Sequence, residues 1–410
     1  MPAARRSVPN YKTSVDGQSI SANHDKDMVL RILYCQPSVE LYGADRMAAV
    51  TVQGFESSGH EVSVVVPREG PLEERFARQG ISTIIAAIPT LRKDGLTPRG
   101  FLSLVRSSAG GLSRALQVIR SADPDIVYVN TLTQPIWLVA AKLLGRPAVC
   151  HVRESEPGQS RLVRAGLIAP LRLADLVVAN SNATRAFIES SQIFTSTDVR
   201  VIHNGKDWSP YFKSRPTRPS EKIQLLVVGR LSPRKGQDVA IRALGVLRHR
   251  GIDARLSIVG DVFPGYEWYE EELHSRAEEL GVSEFVVYAG FRDDIVGDLA
   301  AADIVIVPSR QEPFGTVAAE ALAAMRPVIV SAVDGLTEII DHMSTGLVVP
   351  AEDEDALADA VIALVKDVDL ALSLSECGYE FVLKEFSIEK YHERIEEVVK
   401  CLPARRPVRS

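Results

Sequence analysis

Short, unbroken apolar runs alternate with amphipathic stretches along almost the whole chain. Runs rich in Val, Ile and Leu fall over residues 29–34, 62–66, 82–85, 126–129, 148–151 and 176–179, with helix-length segments over 44–58 and 103–120. Strands buried on both faces read as continuous apolar runs, so the pattern predicts a parallel sheet covered by helices on both sides. The alternation breaks over 206–221, where Asp207-Trp208-Ser209-Pro210 and Arg215-Pro216-Thr217-Arg218-Pro219-Ser220 read as an interdomain linker. It then restarts with apolar runs over 223–228, 255–259, 285–288, 304–307 and 328–330. The matching helices fall over 237–249, 269–280, 316–324, 352–366 and 388–402.

This predicts an α/β protein of two doubly wound Rossmann-like domains facing each other across a cleft. The N-terminal domain takes residues 29–205 and the C-terminal domain 222–387, and a last helix over 388–402 is placed to pack back on the first domain. Residues 1–28 and 403–410 read as disordered tails. A chain of 410 residues exceeds one ordinary core, which fits two domains. Such folds bind ligands at the carboxyl ends of their strands. The first strand is not followed by GxGxxG, which argues against a dinucleotide site, and GxxxxGK[ST] is absent, which argues against a Walker loop.

Composition narrows the class. The chain is 46% apolar and 24% charged, as in ordinary soluble domains. Its four cysteines (Cys35, Cys150, Cys377, Cys401) form no CxxC and stand by no histidine at ligand spacing, so reduced thiols and no metal site are expected. The most apolar long stretch, over 135–150, is interrupted by Lys142 and Arg146, and Arg5-Arg6 is followed by polar residues, so neither a membrane span nor an export signal is expected. A cytoplasmic location follows as the expectation.

Charge is uneven. Residues 29–205 carry 19 Lys/Arg against 15 Asp/Glu, whereas 206–402 carry 21 against 35. Six basic residues lie between Arg92 and Arg120. Such a face suits anionic lipid headgroups at the inner face of the membrane or an anionic acceptor, and equally a solvated helix face. The acidic second half and low aromatic content disfavour nucleic acid as a partner.

Two turns carry the candidate chemistry. Gln311-Glu312-Pro313-Phe314-Gly315-Thr316-Val317-Ala318-Ala319-Glu320 joins the 304–307 run to an alanine-rich helix. A tight turn into a helix leaves free N–H groups that suit a phosphate, while Glu312 and Glu320 can grip hydroxyls on either side. Sugar, diphosphate and ribose, in that order, describe a nucleotide-sugar. Val228-Gly229-Arg230-Leu231-Ser232-Pro233-Arg234-Lys235-Gly236 closes the first run of the second domain and sets two cations on one turn. Arg offers a bidentate fork and Lys a point charge, both suited to a diphosphate leaving group. Taken singly, these residues also fit solvated turn and helix positions.

In combination, Gly229-Arg230 with Lys235-Gly236, and Glu312-Pro313-Phe314-Gly315 with Glu320, make the chain resemble the retaining GT-B glycosyltransferases of family 4 (glycosyl transferases group 1). The resemblance covers nearly the whole length from about Val29. It implies a GT-B fold and transfer of a sugar from a nucleoside diphosphate donor to a hydroxyl acceptor with retained anomeric configuration. No metal and no cofactor beyond the nucleotide-sugar co-substrate is implied. Arg230 and Lys235 match the diphosphate-binding pair, Glu312 the carboxylate near the reacting carbon, and Glu320 the one that holds the ribose hydroxyls. Phe314, Gly315 and Thr316 match the turn whose backbone N–H groups face the sugar and phosphate.

In the first domain, Leu41-Tyr42-Gly43-Ala44-Asp45-Arg46 resembles the family's Gly-Gly-Ala-Glu loop, with one glycine and with Asp in place of Glu. Gly43 is thus assigned to the donor phosphate, or to a plain turn. His151 matches the first-domain histidine that contacts the donor sugar from the cleft, and the following Arg153-Glu154 could order the acceptor or the loop. Asn204-Gly205 resembles a hinge pair, and Gly290-Phe291-Arg292 sits where main chain meets the nucleotide base, placing Arg292 at the donor. The resemblance implies same-face attack with no enzyme nucleophile, unlike the double displacement of glycosidases. A lipid-linked or growing cell-envelope glycan is the first expectation for the acceptor, and a small soluble acceptor the second. A nucleotide-sugar-binding protein without catalysis is the alternative from another class.

Overall fold

The computed structural model describes residues 29–91, 98–155, 158, 160–191, 199–213, 222–262 and 265–402, with 98–108 and 162 described by backbone alone. The first domain runs β1 (Arg31–Cys35), α1 (Gly43–Ser57), β2 (Glu61–Val66), α2 (Pro71–Arg78), β3 (Ser82–Ile85), α3 (Pro98–Ala122) and β4 (Ile126–Val129). It continues through α4 (Ile136–Leu143), β5 (Ala148–Val152), α5 (Arg161–Ile168), β6 (Leu176–Ala179), α6 (Asn182–Glu189) and β7 (Val199–Val201). Its seven strands are parallel in the order β3-β2-β1-β4-β5-β6-β7.

The second domain runs β8 (Ile223–Val228), α7 (Gln237–His249), β9 (Ala254–Val259), α8 (Glu267–Glu279), β10 (Val286–Gly290), α9 (Val296–Ala301) and β11 (Ile304–Val307). There follow α10 (Thr316–Ala323), β12 (Val328–Ser331), α11 (Leu336–Ile339), β13 (Leu347–Val349), α12 (Glu354–Lys366), α13 (Val368–Glu385) and α14 (Ile388–Lys400). Six parallel strands are ordered β10-β9-β8-β11-β12-β13. In both sheets the direction of strand addition reverses beside the first strand, at β1/β4 and at β8/β11. A crevice opens at such a reversal, outside the strand ends, and the turns after β1, β8 and β11 meet there.

Central strands such as Ile304-Val305-Ile306-Val307 are buried throughout, which requires apolar side chains on both faces. Alternate residues feed two layers: Val305 and Val307 pack under α10, while Ile304 and Ile306 pack on the opposite side with α7 and α12. The chain then crosses back. Tyr391, Ile395 and Val398 of α14 join the first domain's core beside Val52 and Phe55 of α1, and Thr51 Oγ1 lies 2.6 Å from Tyr391 OH. A Cβ on Gly205 would lie 2.3 Å from Ser387 O, so glycine permits the two crossing segments to touch.

The segment read as a linker differs from expectation in its first half. Trp208 and Tyr211 are buried in the second domain's core with Phe314 and Phe386, and Trp208 Nε1 donates to Phe386 O at 2.8 Å. Large aromatic rings outweighed the local Asp, Ser and Pro. Residues 214–221 lie outside the described part, as do 92–97 of the basic segment, 1–28 and 403–410. Among the described residues, no helix is long and apolar enough to cross a membrane.

Candidate active site

The turn after β8 is set by close backbone contacts. Gly229 N donates to Val259 O at 2.9 Å, and a Cβ on the neighbouring Gly260 would fall 2.1 Å from Gly229 O. Both glycines have positive φ, 153° and 147°, which L side chains disfavour. The chain then makes a short 3-10 turn over Pro233–Lys235 and enters α7 through Gly236, whose φ is 68°.

Arg310 holds this turn from behind. Its N–H donates to Arg234 O at 2.8 Å and its Nη1 to Pro233 O at 2.5 Å. Asp238 grips the same guanidinium, at 2.8 Å to Nη1 and 2.7 Å to Nη2. Burial pushes the Asp238 carboxyl up, but bonds from Arg310, Tyr269 and Arg242 outweigh it and bring it down to about 2. Arg310 and Asp238 went unremarked in the sequence, although Arg310 stands two positions before Glu312.

Lys235 Nζ meets Glu312 Oε2 at 2.5 Å, and Ser309 Oγ donates to the same oxygen at 3.2 Å. Glu312 is only 8% exposed. Burial raises its pKa, but the charges of Lys235 and Arg234 and these hydrogen bonds prevail and hold it below the ordinary glutamate value. Arg230 lies instead over the Tyr42 ring, 4.0 Å from its centre. The two cations flank the turn as the sequence suggested, but one is turned to Glu312 and the other to Tyr42.

The turn after β11 is braced by its neighbour before α11. Glu312 N donates to Asp334 Oδ2 at 3.1 Å and Gly335 N to Glu312 O at 3.0 Å. Gly315 caps α10 at φ 101°, where a Cβ would sit 2.5 Å from Leu336 Cδ2. Thr316 opens the helix, so its N–H is among those that a helix leaves without an internal acceptor. Phe314, expected to serve the donor through its backbone, turns its side chain into the core. Its ring is 2% exposed and packs 5.5 Å from Phe386 and 5.9 Å from His203, centre to centre, so it anchors the turn through the core. Glu320, one turn into α10, is buried and accepts at Oε1 from Lys206 Nζ (2.7 Å) and Tyr211 OH (2.8 Å).

From the first domain, Gly43 is not in a loop: it begins α1, and a Cβ there would meet nothing within 4 Å. Asp45 is turned inward, accepting from Gln36 Nε2 at 2.7 Å and from Ser38 Oγ. Burial raises its carboxyl to about 6 against the opposing pull of Ser38, the Tyr42 backbone and Arg230. The start of α1 also touches the second domain. Arg46 Nη2 donates to Asp293 O at 2.5 Å, and the Tyr42 and Phe291 rings meet edge-on at 5.7 Å. Arg292, expected at the donor, is exposed and lies 3.6 Å from Asp298.

His151 needs a correction. On β5, Cys150 and Val152 face one layer, and Val149 and His151 face the other, beneath α1 and α14. Its side chain is therefore fully buried rather than facing the cleft, with Nδ1 2.8 Å from Tyr128 OH and 3.3 Å from Arg153 Nη2. Burial and the Arg153 charge hold the imidazole well below its ordinary pKa, hence neutral. Arg153 ties the sheet to the crossover, donating to Asn130 Oδ1 and Asn204 Oδ1 at 2.7 Å each and to Tyr391 OH at 3.0 Å. Glu154, just past β5, accepts from Thr131 Oγ1 and from the N–H groups of Arg153 (3.0 Å) and Leu132 (3.4 Å).

A carboxylate missed in the sequence joins the two domains. Glu338 of α11 accepts from Asn182 N (2.9 Å), Asn182 Nδ2 (2.8 Å) and Ala183 N (2.8 Å) at the start of α6. It also lies 2.8 Å from His203 Nε2.

Comparison with known proteins fits this geometry. The family described as Glycosyl transferases group 1 matches residues 211–381, and the one described as Glycosyltransferase Family 4 matches residues 42–208. The chain is similar to N-acetyl-alpha-D-glucosaminyl L-malate synthase of Bacillus anthracis, 28% identical over 60% of this chain, and spans 63% of that enzyme's length. An uncharacterized glycosyltransferase of Methanocaldococcus jannaschii is 36% identical over 77% of this chain and 83% of its own. Among solved structures, Anabaena HepE in complex with UDP and glucose superposes with a TM-score of 0.76, covering 91% of this chain and 100% of its own at 23% identity. With two parallel α/β sheets of GT-B architecture and matches that together run from residue 42 to 381, this chain belongs to the GT-B glycosyltransferases of family 4.

Proposed function

We propose that the protein transfers a sugar from a nucleoside diphosphate sugar to a hydroxyl acceptor with retention of anomeric configuration. The observation that carries this reading is the meeting of Lys235 with Glu312 at the start of α10, beside Gly315. In it, the diphosphate lies along the first turn of α10 and between Lys235 and Arg230, Glu312 faces the sugar, and Glu320 takes the ribose. That HepE was solved with UDP and glucose supports a nucleotide-sugar donor.

The charge gained by the departing diphosphate is met by Lys235, Arg230 and the N–H groups of α10, donors set before the reaction begins. These side chains do the work a metal ion does elsewhere, so transfer proceeds in the presence of a chelator. The acceptor hydroxyl attacks from the leaving-group face and passes its proton to the departing phosphate oxygen. Glu312, already bonded to Lys235 and Ser309, positions the sugar and does not attack it. Domain closure excludes water.

The acceptor enters from the first domain, past the carboxyl ends of β4 and β5. A lipid-linked or growing envelope glycan at the inner membrane face is the favoured class, on the strength of the basic residues between Arg92 and Arg120. The test is a thermal-shift panel of UDP-, GDP- and ADP-sugars, followed by NMR of the product's anomeric proton with a chelator present. Binding to the folded state raises the melting temperature. A product of inverted configuration, or no donor that binds, overturns the proposal.

A further inference from the structure

Lys206 is a cation in an unexpected place. It leaves the crossover from the first domain, immediately after Asn204-Gly205, and its Nζ reaches Glu320 Oε1 at 2.7 Å. Tyr211, five residues on, donates its hydroxyl to the same oxygen at 2.8 Å, and Lys206 Nζ donates to that hydroxyl as well. The ammonium also stands 4.6 Å from the centre of the Tyr211 ring. Burial and the Glu320 charge both raise the Tyr211 pKa, so the phenol keeps its proton and remains a donor.

Both bonds to Glu320 fall on Oε1. The carboxylate is 5% exposed, and its side chain cannot swing while two donors hold one oxygen. The other oxygen, Oε2, is left to accept from outside the cluster. A buried carboxylate held this way gains more from a hydroxyl donor than a mobile one, because little order is lost on binding. Without Lys206 the same carboxylate would be a buried charge facing one phenol, with a single bond to stop it turning.

We propose that Lys206 and Tyr211 are positioning residues for donor recognition: by occupying Oε1 of Glu320 they aim Oε2 at a ribose hydroxyl. This rests on the reading of Glu320 as the ribose carboxylate. It makes discrimination between ribose and deoxyribose a property of the crossover segment, which carries Lys206 and Tyr211, as much as of α10.

The experiment is calorimetric titration of the full chain with UDP and 2′-deoxy-UDP, and with the matching GDP and ADP pairs, taking the base that binds most tightly. The wild type prefers the ribonucleotide by about tenfold or more, the value of one hydrogen bond to a charged group. Lys206→Met brings that preference below about threefold by weakening the ribonucleotide while leaving the deoxynucleotide near its wild-type affinity. Lys206→Arg restores most of the preference. Tyr211→Phe, which keeps the buried ring, lowers it in the same sense and serves if Lys206→Met folds poorly. A Lys206→Met or Tyr211→Phe protein with the wild-type preference overturns the proposal alone. Equal affinities in the wild type overturn the ribose reading of Glu320, and the proposal with it.

Discussion

Lys235 and Glu312 stand on different strand-to-helix turns, 77 residues apart, and their side chains meet at 2.5 Å with little exposure on either. The pair exists before any donor arrives, so binding must share Lys235 between the carboxylate and a phosphate. Removing one partner leaves the other charge buried and unpaired. Lys235→Met is therefore expected to cost about 3–5 kcal/mol of stability as well as more than about 100-fold in transfer rate. Lys235→Met with Glu312→Gln should recover part of the stability and none of the activity, with a coupling of about 0.5–3 kcal/mol. Urea unfolding of the four proteins, with initial rates, checks this; a single variant as stable as wild type would refute it.

Asp45 gives a pH signature. Its folded-state carboxyl is raised from 3.8 to about 6, chiefly by burial. Between those values the folded state holds a proton that the unfolded state has lost, so stability falls as pH rises through the window and the penalty is complete above about 6. Asp45→Asn keeps an oxygen acceptor for Gln36 and Ser38 but has no charge to bury. Relative to wild type it should melt higher at pH 7 than at pH 4, by several degrees. An identical offset at both pH values would remove Asp45 as the cause.

The sheets were legible because their strands are short continuous apolar runs, as at Ile304-Val305-Ile306-Val307, set between helix-length amphipathic segments. Their parallel pairing followed from the alternation with helices. The 18-residue α13 was not read, because its packing signal is Gly378, where a Cβ would lie 2.5 Å from Leu322 Cδ2 of α10. A close helix contact of that kind has no periodic mark in one sequence. The charged residues of both second-domain turns were visible as motifs. Lys206, which holds Glu320, was not, nor were Arg310 and Asp238, which brace the turn before α7, or Glu338, which clasps the first domain, because each acts on an element distant in sequence. His151 was misplaced because a residue's position at a strand end is readable, but the layer its side chain enters depends on the neighbouring elements.

Gly315 is a point where both backbone and space exclude a side chain. Its φ of 101° disfavours any L residue, and a Cβ would press on Leu336 at 2.5 Å. Gly315→Ala should cost about 1–3 kcal/mol and displace the first N–H groups of α10. Donor affinity should fall further than stability alone explains, by about tenfold or more. Calorimetric titration with the best nucleotide of the panel, beside a melting curve, separates the two effects. Normal affinity in a folded variant would argue that the start of α10 does not hold the diphosphate.

Glu338 links the domains on the side of α6, where two backbone N–H groups and the Asn182 amide from the first domain, with His203, converge on its carboxylate. Burial pushes its pKa up, yet the bonds from His203, Asn182 and Ala183 dominate and lower it. A depressed carboxyl contributes fully above the ordinary glutamate value, and that contribution is lost as pH falls below it. Each bond to the charge is worth about 1.5–3 kcal/mol before screening by solvent. Glu338→Ala should therefore let the domains sample wider separations, and the radius of gyration from small-angle scattering should increase relative to wild type at neutral pH. Donor KM should rise several-fold, because fewer molecules are closed when the donor arrives. Glu338→Gln should fall between, since its amide still offers an oxygen to Asn182 and Ala183 but carries no charge. If the alanine variant scatters as wild type does and its donor KM is unchanged, the clasp does not govern closure, and the bridge from Arg46 to Asp293 becomes the contact to break next.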